Sequence, residues 1–581
     1  MGRSCRVRCS PRHSAEPGRF ARCPADLRRE VALTVPRSLA SVARTALAPG
    51  SGKALGASAT PACREAPRRG NSPGRGAAWG RRFGLLLGAG LLAGCSLGPD
   101  YHTPEQEIPP AYRASTATAA QAWPSPQWWK GFRSPELDAL IADARTANFD
   151  ILAALARVRQ ADAQLRIAGA GLLPTLDATG SAQWQRTGLG TGSSRFSSSS
   201  SLGGSSSRAV ETRSYAIGLN AAYDIDFWGS ARATRASAAA LAMFSRFDQE
   251  TVALTVVSNV ANTWFTALAF ADRLAVARRN LADAQQTLAV IRGRFAAGTA
   301  NALDVAQQES QVALEQAVIP NLQNQMDQQV IGLGILVGRP PEAVSVQPGT
   351  LDTLALPEVA PGLPSTLLER RPDIASAEAQ LVAQNFNVQV ARAAFFPIIQ
   401  LTGSAGYQAA ALNQLIGPGG VLLSLASGLT QPIFDGGTLR GQLDLSKAEY
   451  AEFLAAYRKA VVQAFTDVDL ALTAWRFTTE QERLQRVAVA RAQRAADIAR
   501  AQLQAGTVDV TTVLTAETTL FNAEDTLVQV RLARFQALLS LYKALGGGWQ
   551  RPAGAIADQV PPLTPGQALG GFALPVGGNL R

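Results

Sequence analysis

The chain has 581 residues and a formal net charge of +11, with 55 Lys and Arg against 44 Asp and Glu. Residues 1–94 hold 17 basic and 4 acidic side chains, whereas the rest of the chain holds 38 and 40, so the basic character belongs to the leader. A broad basic surface for nucleic acid is excluded from the body, and 17% charged residues are too many for a polytopic bundle of membrane helices.

Residues 1–78 read as a mis-called start or a disordered extension, because a signal peptide follows them. Arg81-Arg82, the apolar run from Phe83 to Ala93 and the small Gly94 form the charged, apolar and cleavage regions of such a peptide over 79–94. The run is too short to span a bilayer, which needs about 20 residues. Cys5, Cys9, Cys23 and Cys63 lie in the leader, leaving Cys95 alone in the body, so there is no disulfide framework. Leu92-Ala93-Gly94-Cys95 resembles the bacterial lipobox, which implies cleavage before Cys95 and lipid attachment to its thiol. Several acyl chains at ~0.8 kcal/mol per buried CH₂ make a firm anchor. Residues 95–147 then form an N-terminal anchor and equatorial segment, and Ser96 rather than Asp after the cysteine is what in that family favours export to the outer membrane.

Beyond the anchor the chain repeats itself. Gly229, Ala297-Gly298-Thr299 and Gly338 recur as Gly437, Ala505-Gly506-Thr507 and Gly546, each 208 residues on, and Asp150 and Pro174 recur as Asp373 and Pro397 at an offset of 223. The 15 extra residues map to the Gly- and Ser-rich stretch from Gly188 to Ser207, expected as a loop between strands. The first repeat spans 148–338, with strands at 174–185 and 213–228, a long helix over 229–297 and a return helix over 299–338. The second spans 373–546, with strands at 397–408 and 421–434, a long helix over 437–505 and a return helix over 507–546. Between them, 339–372 is an equatorial linker whose seven prolines exclude a continuous helix, and 547–581 is a C-terminal equatorial tail.

Neither long helix contains a proline, and at 1.5 Å per residue each is ~100 Å long. Leu274, Leu281, Leu288 and Phe295 form one heptad row, and Ala277, Ala284 and Ile291 another, which is coiled-coil spacing. The length of the return helix plus that of 373–397 nearly equals the long helix. The chain is therefore expected to go down once and return as two helices stacked end to end across the linker. From Tyr215 to Phe227 one side carries Tyr215, Ile217, Leu219, Ala221, Tyr223, Ile225 and Phe227 and the other Ala216, Gly218, Asn220, Ala222, Asp224 and Asp226, the pattern of a strand with one lipid-facing and one lumen-facing side. Four such strands cannot close a barrel in lipid alone, so the barrel must be shared between chains.

Cys95-Ser96-Leu97-Gly98-Pro99-Asp100-Tyr101, Leu367-Leu368-Glu369-Arg370-Arg371-Pro372-Asp373-Ile374, and the strand-to-helix junctions Tyr223–Gly229 and Gln431–Gly437 resemble OprM/NodT-type outer-membrane lipoproteins of the TolC superfamily. The resemblance runs from about residue 83 to 550. It implies a membrane α+β fold: four transmembrane strands and very long coiled-coil helices per chain, with a homotrimer forming a 12-stranded β-barrel continuous with a 12-helix periplasmic α-barrel. It further implies the exit duct of a tripartite efflux pump, partnered by a periplasmic adaptor and an inner-membrane RND-type transporter.

By position, the family's periplasmic tip and gate fall on Arg294, Gly298, Thr299 and Asp304, and on Gly506, Thr507 and Asp509. Aspartates that often line the constriction are replaced by Thr512 and Thr515. Asp304 and Asp509 also suit the first turn of a helix, where the macrodipole favours anions. Arg370-Arg371-Pro372 reads as a helix start and packing device. Asp224 and Asp226, on the polar strand face, are candidate lumen-lining residues. With only His13 and His102 and no P-loop or GxSxG, no catalytic set, metal site or cofactor is expected. Two alternatives remain from sequence: an outer-membrane channel of type I protein secretion, and a periplasmic coiled-coil lipoprotein without a pore.

Overall fold

The computed structural model describes residues 101–113, 123–187, 210–347, 349–357, 359 and 364–552. Cys95, the signal peptide, nearly all of the tail and the stretch from Gly188 to Ser207 lie outside the described residues.

Helices α1 (Pro135–Ala147) and α2 (Phe149–Ala170) lead into strands β1 (Thr175–Thr187) and β2 (Val210–Asp224). The 67-residue α3 (Ser230–Ala296) and α4 (Ala302–Val337) follow. In the second repeat come α5 (Pro372–Ala393), β3 (Ile398–Ala409), β4 (Val421–Thr430), the 67-residue α6 (Thr438–Gln504) and α7 (Val510–Ala544). Over 339–371 the described backbone forms only 3₁₀ turns and the single helical turn Pro364–Leu367, as its prolines require.

The four strands form one antiparallel sheet in the order β1-β2-β3-β4. Its register, with Leu176 opposite Ala221, Ile217 opposite Tyr407 and Tyr407 opposite Val421, gathers most of the large apolar residues on one face. Leu176, Trp184, Ile217, Leu219, Leu401, Tyr407, Leu423, Leu425 and Leu429 are all exposed there. The other face carries cross-strand polar pairs: Asn220 donates to Thr179 at 2.9 Å, Gln408 to Ser214 at 3.1 Å, and Ser404 meets Ser424 at 2.7 Å. Edges β1 and β4 have no neighbour among the described strands.

Below the sheet, α3 packs along α2, α4 and α5. The heptad rows are buried at Leu274, Leu288, Ala277, Ala284 and Ile291, but Phe295, the last member, is exposed at the far end. A core rich in aromatics sits level with the linker, where Trp128 stacks on Tyr542 with centroids 4.8 Å apart and Phe132 meets Phe265 edge-on at 5.0 Å.

Two expectations need correction. The end-to-end stacking lies within each repeat, not across the linker. Asn148, the N-cap of α2, donates its side-chain amide to Leu336 O at the end of α4, 2.8 Å away. Arg371, the N-cap of α5, donates to Ala544 O at the end of α7, at 3.1 Å. Helix lengths fix how much chain must return but not which helix it abuts; here capping side chains make that choice. The second strand ends at Asp224 and the fourth at Thr430, short of the alternating pattern. Beyond Asp224 the backbone turns so that Asp226 can cap α3, and beyond Thr430 so that Asp435 can cap α6.

Candidate functional site

Three regions carry the candidate residues: the sheet-to-helix junction, the far tip, and the polar contacts that join the two long hairpins. At the junction, Asp226 is not part of the strand. Its carboxylate accepts from the backbone N–H of Ala231 and Arg232 at 3.0 and 2.9 Å and pairs with the Arg232 guanidinium at 3.1 Å, so it caps the start of α3. Asp435 does the same for Gly437 and Leu439. Asp224 stays on the polar face and accepts from Gln400 at 3.0 Å. Trp228 stacks on Phe396 at 4.6 Å and donates to Pro397 O at 2.8 Å, fixing both repeats together under the sheet.

At the tip the two hairpins are built alike. Gly298 and Gly506 have φ of +73° and +75°, a conformation that glycine takes without steric cost. Each closes a Schellman motif: Gly298 N–H reaches Phe295 O and Thr299 N–H reaches Arg294 O, as Gly506 and Thr507 reach Leu503 O and Gln502 O. The Thr299 and Thr507 hydroxyls donate to the same carbonyls, at 3.1 Å in both. The next helices start on matching caps. Asp304 completes a capping box with Asn301, at 3.0 and 2.9 Å. Asp509 caps α7 through Thr512 N–H, 2.9 Å away, and the bonds from Thr512 hold its carboxyl below the usual range. Both aspartates therefore do capping work within the chain. Arg294 does something the repeat does not mirror: its guanidinium leaves α3 and donates to Leu503 O of α6 at 2.8 Å, clasping one hairpin to the other.

Behind the tip, ion pairs continue this joining. Arg500 of α6 meets Asp283 of α3 and Glu517 of α7, both at 2.8 Å, and Thr287 of α3 also donates to Glu517. Arg273 of α3 grips Asp525 of α7 through two contacts, 2.6 and 3.2 Å. Farther along, Glu482, 2% exposed, accepts from Arg486, Arg531 and Arg534. None of these residues was marked by sequence. Their signal is slight: single charged residues at positions of an Ala-rich helix that face a neighbour.

Buried Glu315 of α4 has one oxygen on Gln311 and one without a partner. Burial raises its pKa, the Gln311 bond lowers it and the nearby Glu517 charge raises it; the result is above the ordinary value. With the folded pKa raised, the stability linked to this proton is present at low pH and lost as pH rises through the folded pKa. Glu315→Gln is thus expected to raise the melting temperature by a few degrees at pH 8 and to leave it nearly unchanged at pH 4, as thermal unfolding at the two pH values checks. Among the described residues no cluster of three His, Cys, Asp or Glu could hold a metal ion.

Comparison with known proteins agrees with this architecture. The outer membrane efflux protein family matches residues 140–339 and 363–547, one block for each repeat. The chain is 41% identical over 471 residues to the pyoverdine export outer membrane protein OpmQ of Pseudomonas aeruginosa, covering 81% of this chain and 97% of that one. It is 33% identical over 490 residues to the probable efflux pump outer membrane protein TtgC of Pseudomonas putida, covering 83% and 98%. The solved outer-membrane channel OprN superposes with a TM-score of 0.72 at 26% identity, over 78% of this chain and all of that one. The chain belongs to the outer membrane efflux protein family as an export channel of the outer membrane that extends into the periplasm.

Proposed function

We propose that three copies of the chain close a 12-stranded barrel continuous with a 12-helix tunnel, forming the passive exit duct of a tripartite pump. The carrying observation is the sheet, mostly apolar on one face, bearing the cross-strand polar pairs on the other and, among the described strands, unpaired at β1 and β4. Lipid offers no partner for unpaired backbone, so both edges must be met by neighbouring copies. A periplasmic spacer without a pore leaves that sheet unexplained.

Cargo enters from an inner-membrane RND-type transporter through a periplasmic adaptor docked at the tip, where Phe295 and Leu303 are exposed beside the turns. Direction and energy come from the transporter; the duct does no covalent chemistry and needs no cofactor. Likeness to a protein named for pyoverdine export supports an organic small molecule as cargo. Asp224 lines the lumen. At the tip, Gly298, Thr299, Gly506 and Thr507 shape the turns, Asp304 and Asp509 fix the helix starts, and Arg294 holds the closed state.

Cys95 carries the lipid. Tyr101, six residues on, packs near Val382 and Phe386 of α5, the helix that leads into β3.

In a host lacking its own duct but supplied with the matching adaptor and transporter, the chain is expected to restore resistance to a pump substrate. Arg294→Ala is expected to keep that export while making cells severalfold more permeable to a bulky antibiotic. Failure of the unaltered, correctly inserted chain to restore export would count against the duct.

A further inference from the structure

We infer that Glu378 is a positioning residue whose single carboxylate fastens two segments distant in sequence, 101–113 and 549–552, to α5. Glu378 is 4% exposed, in the second turn of α5. One oxygen accepts from the Thr103 hydroxyl at 2.9 Å and the Tyr101 hydroxyl at 3.4 Å. Its other oxygen accepts from the Arg551 guanidinium. The N-terminal and C-terminal segments, 275 and 173 residues away in sequence, thus meet at a single side chain.

Each segment is then held by its surroundings. Tyr101 packs with Ala240, Val382 and Ala383, and Tyr112 is buried against Leu367 and Leu541. At the other end Arg551 N–H donates to Glu369 O at 3.1 Å, and Trp549 lies edge-on to Phe247 at 5.7 Å. Burial and the Glu378 charge hold the Tyr101 phenol far above its ordinary pKa, so it remains a donor. Among the hydrogen bonds that cross between the two end segments and α5, those to Glu378 are the charge-assisted ones, which are about twice as strong as neutral ones.

Hydrogen exchange on the purified, membrane-inserted protein tests this. Glu378→Ala should raise exchange about tenfold in both 101–113 and 549–552, while Cys95→Ser leaves both protected. Glu378→Gln keeps an acceptor for Thr103 and Tyr101 but loses the charge that Arg551 needs, so only 549–552 should loosen. Release of one segment only by Glu378→Ala, or loosening of both by Glu378→Gln, would overturn the proposal.

Discussion

Gly546→Ala is expected to destabilise the fold by about 3–5 kcal/mol, combining the left-handed backbone cost with overpacking. Gly546 follows α7 with φ +80°, and an added Cβ would lie 1.9 Å from Arg370 O, in the seam where α7 abuts α5. Backbone meets backbone there, so no side chain can swing aside. Gly338, its counterpart in the first repeat, has φ +71° and would place a Cβ 2.2 Å from Ala147 O, so Gly338→Ala should cost about as much. Gly298→Ala at the tip is the control. Its φ is +73° but nothing lies within 4 Å of the added atom, and it should cost only the backbone share, about 1–2 kcal/mol. Denaturant midpoints of the three variants check the ranking.

Glu482→Ala should cost a similar amount for a different reason. The carboxylate sits between α6 and α7 with Arg534 at 2.9 Å and Arg531 at 3.3 Å, and Arg531 also reaches Asp352 of the linker at 2.7 Å. Arg534 lies over the Trp475 ring, 4.9 Å from its centroid. Removing the carboxylate leaves the part-buried Arg534 guanidinium without its partner and Arg531 with Asp352 alone, and breaking a buried pair costs about 3–5 kcal/mol. Glu482→Gln retains an acceptor and should cost less. Burial opposes the Glu482 charge, but bonds and charges from Arg486 and Arg534 outweigh it and lower the pKa. A depressed folded pKa means that this stability is present above the unfolded value and lost as pH falls through the folded one. The gap between wild type and Glu482→Ala should therefore close in acid, as unfolding measured down a pH series shows.

Periodicity and spacing made much of the architecture legible. Equal offsets between glycines mark the duplication because each glycine sits where a turn requires positive φ, a local demand that sequence displays directly. Proline-free runs likewise announce α3 and α6. What spacing cannot display is who meets whom. The stacking of α4 on α2 depends on Asn148 reaching Leu336 O, a pairing no periodicity encodes. Asp226 continues the alternation of β2 in sequence, yet two backbone N–H groups at the start of α3 claim its carboxylate. Tertiary demand there overrides the period. Glu378, Glu482 and Arg500 each join segments distant in sequence through polar contacts, but only the segment that faces each one distinguishes it from other charged residues.

The central claim is that three chains share one barrel and one tunnel. Purified, membrane-inserted protein examined by native mass measurement and in a planar bilayer tests it most directly. The account predicts a trimeric mass and discrete conductance steps, with a higher resting conductance for Arg294→Ala. A monomeric mass with no conductance at any voltage would contradict it.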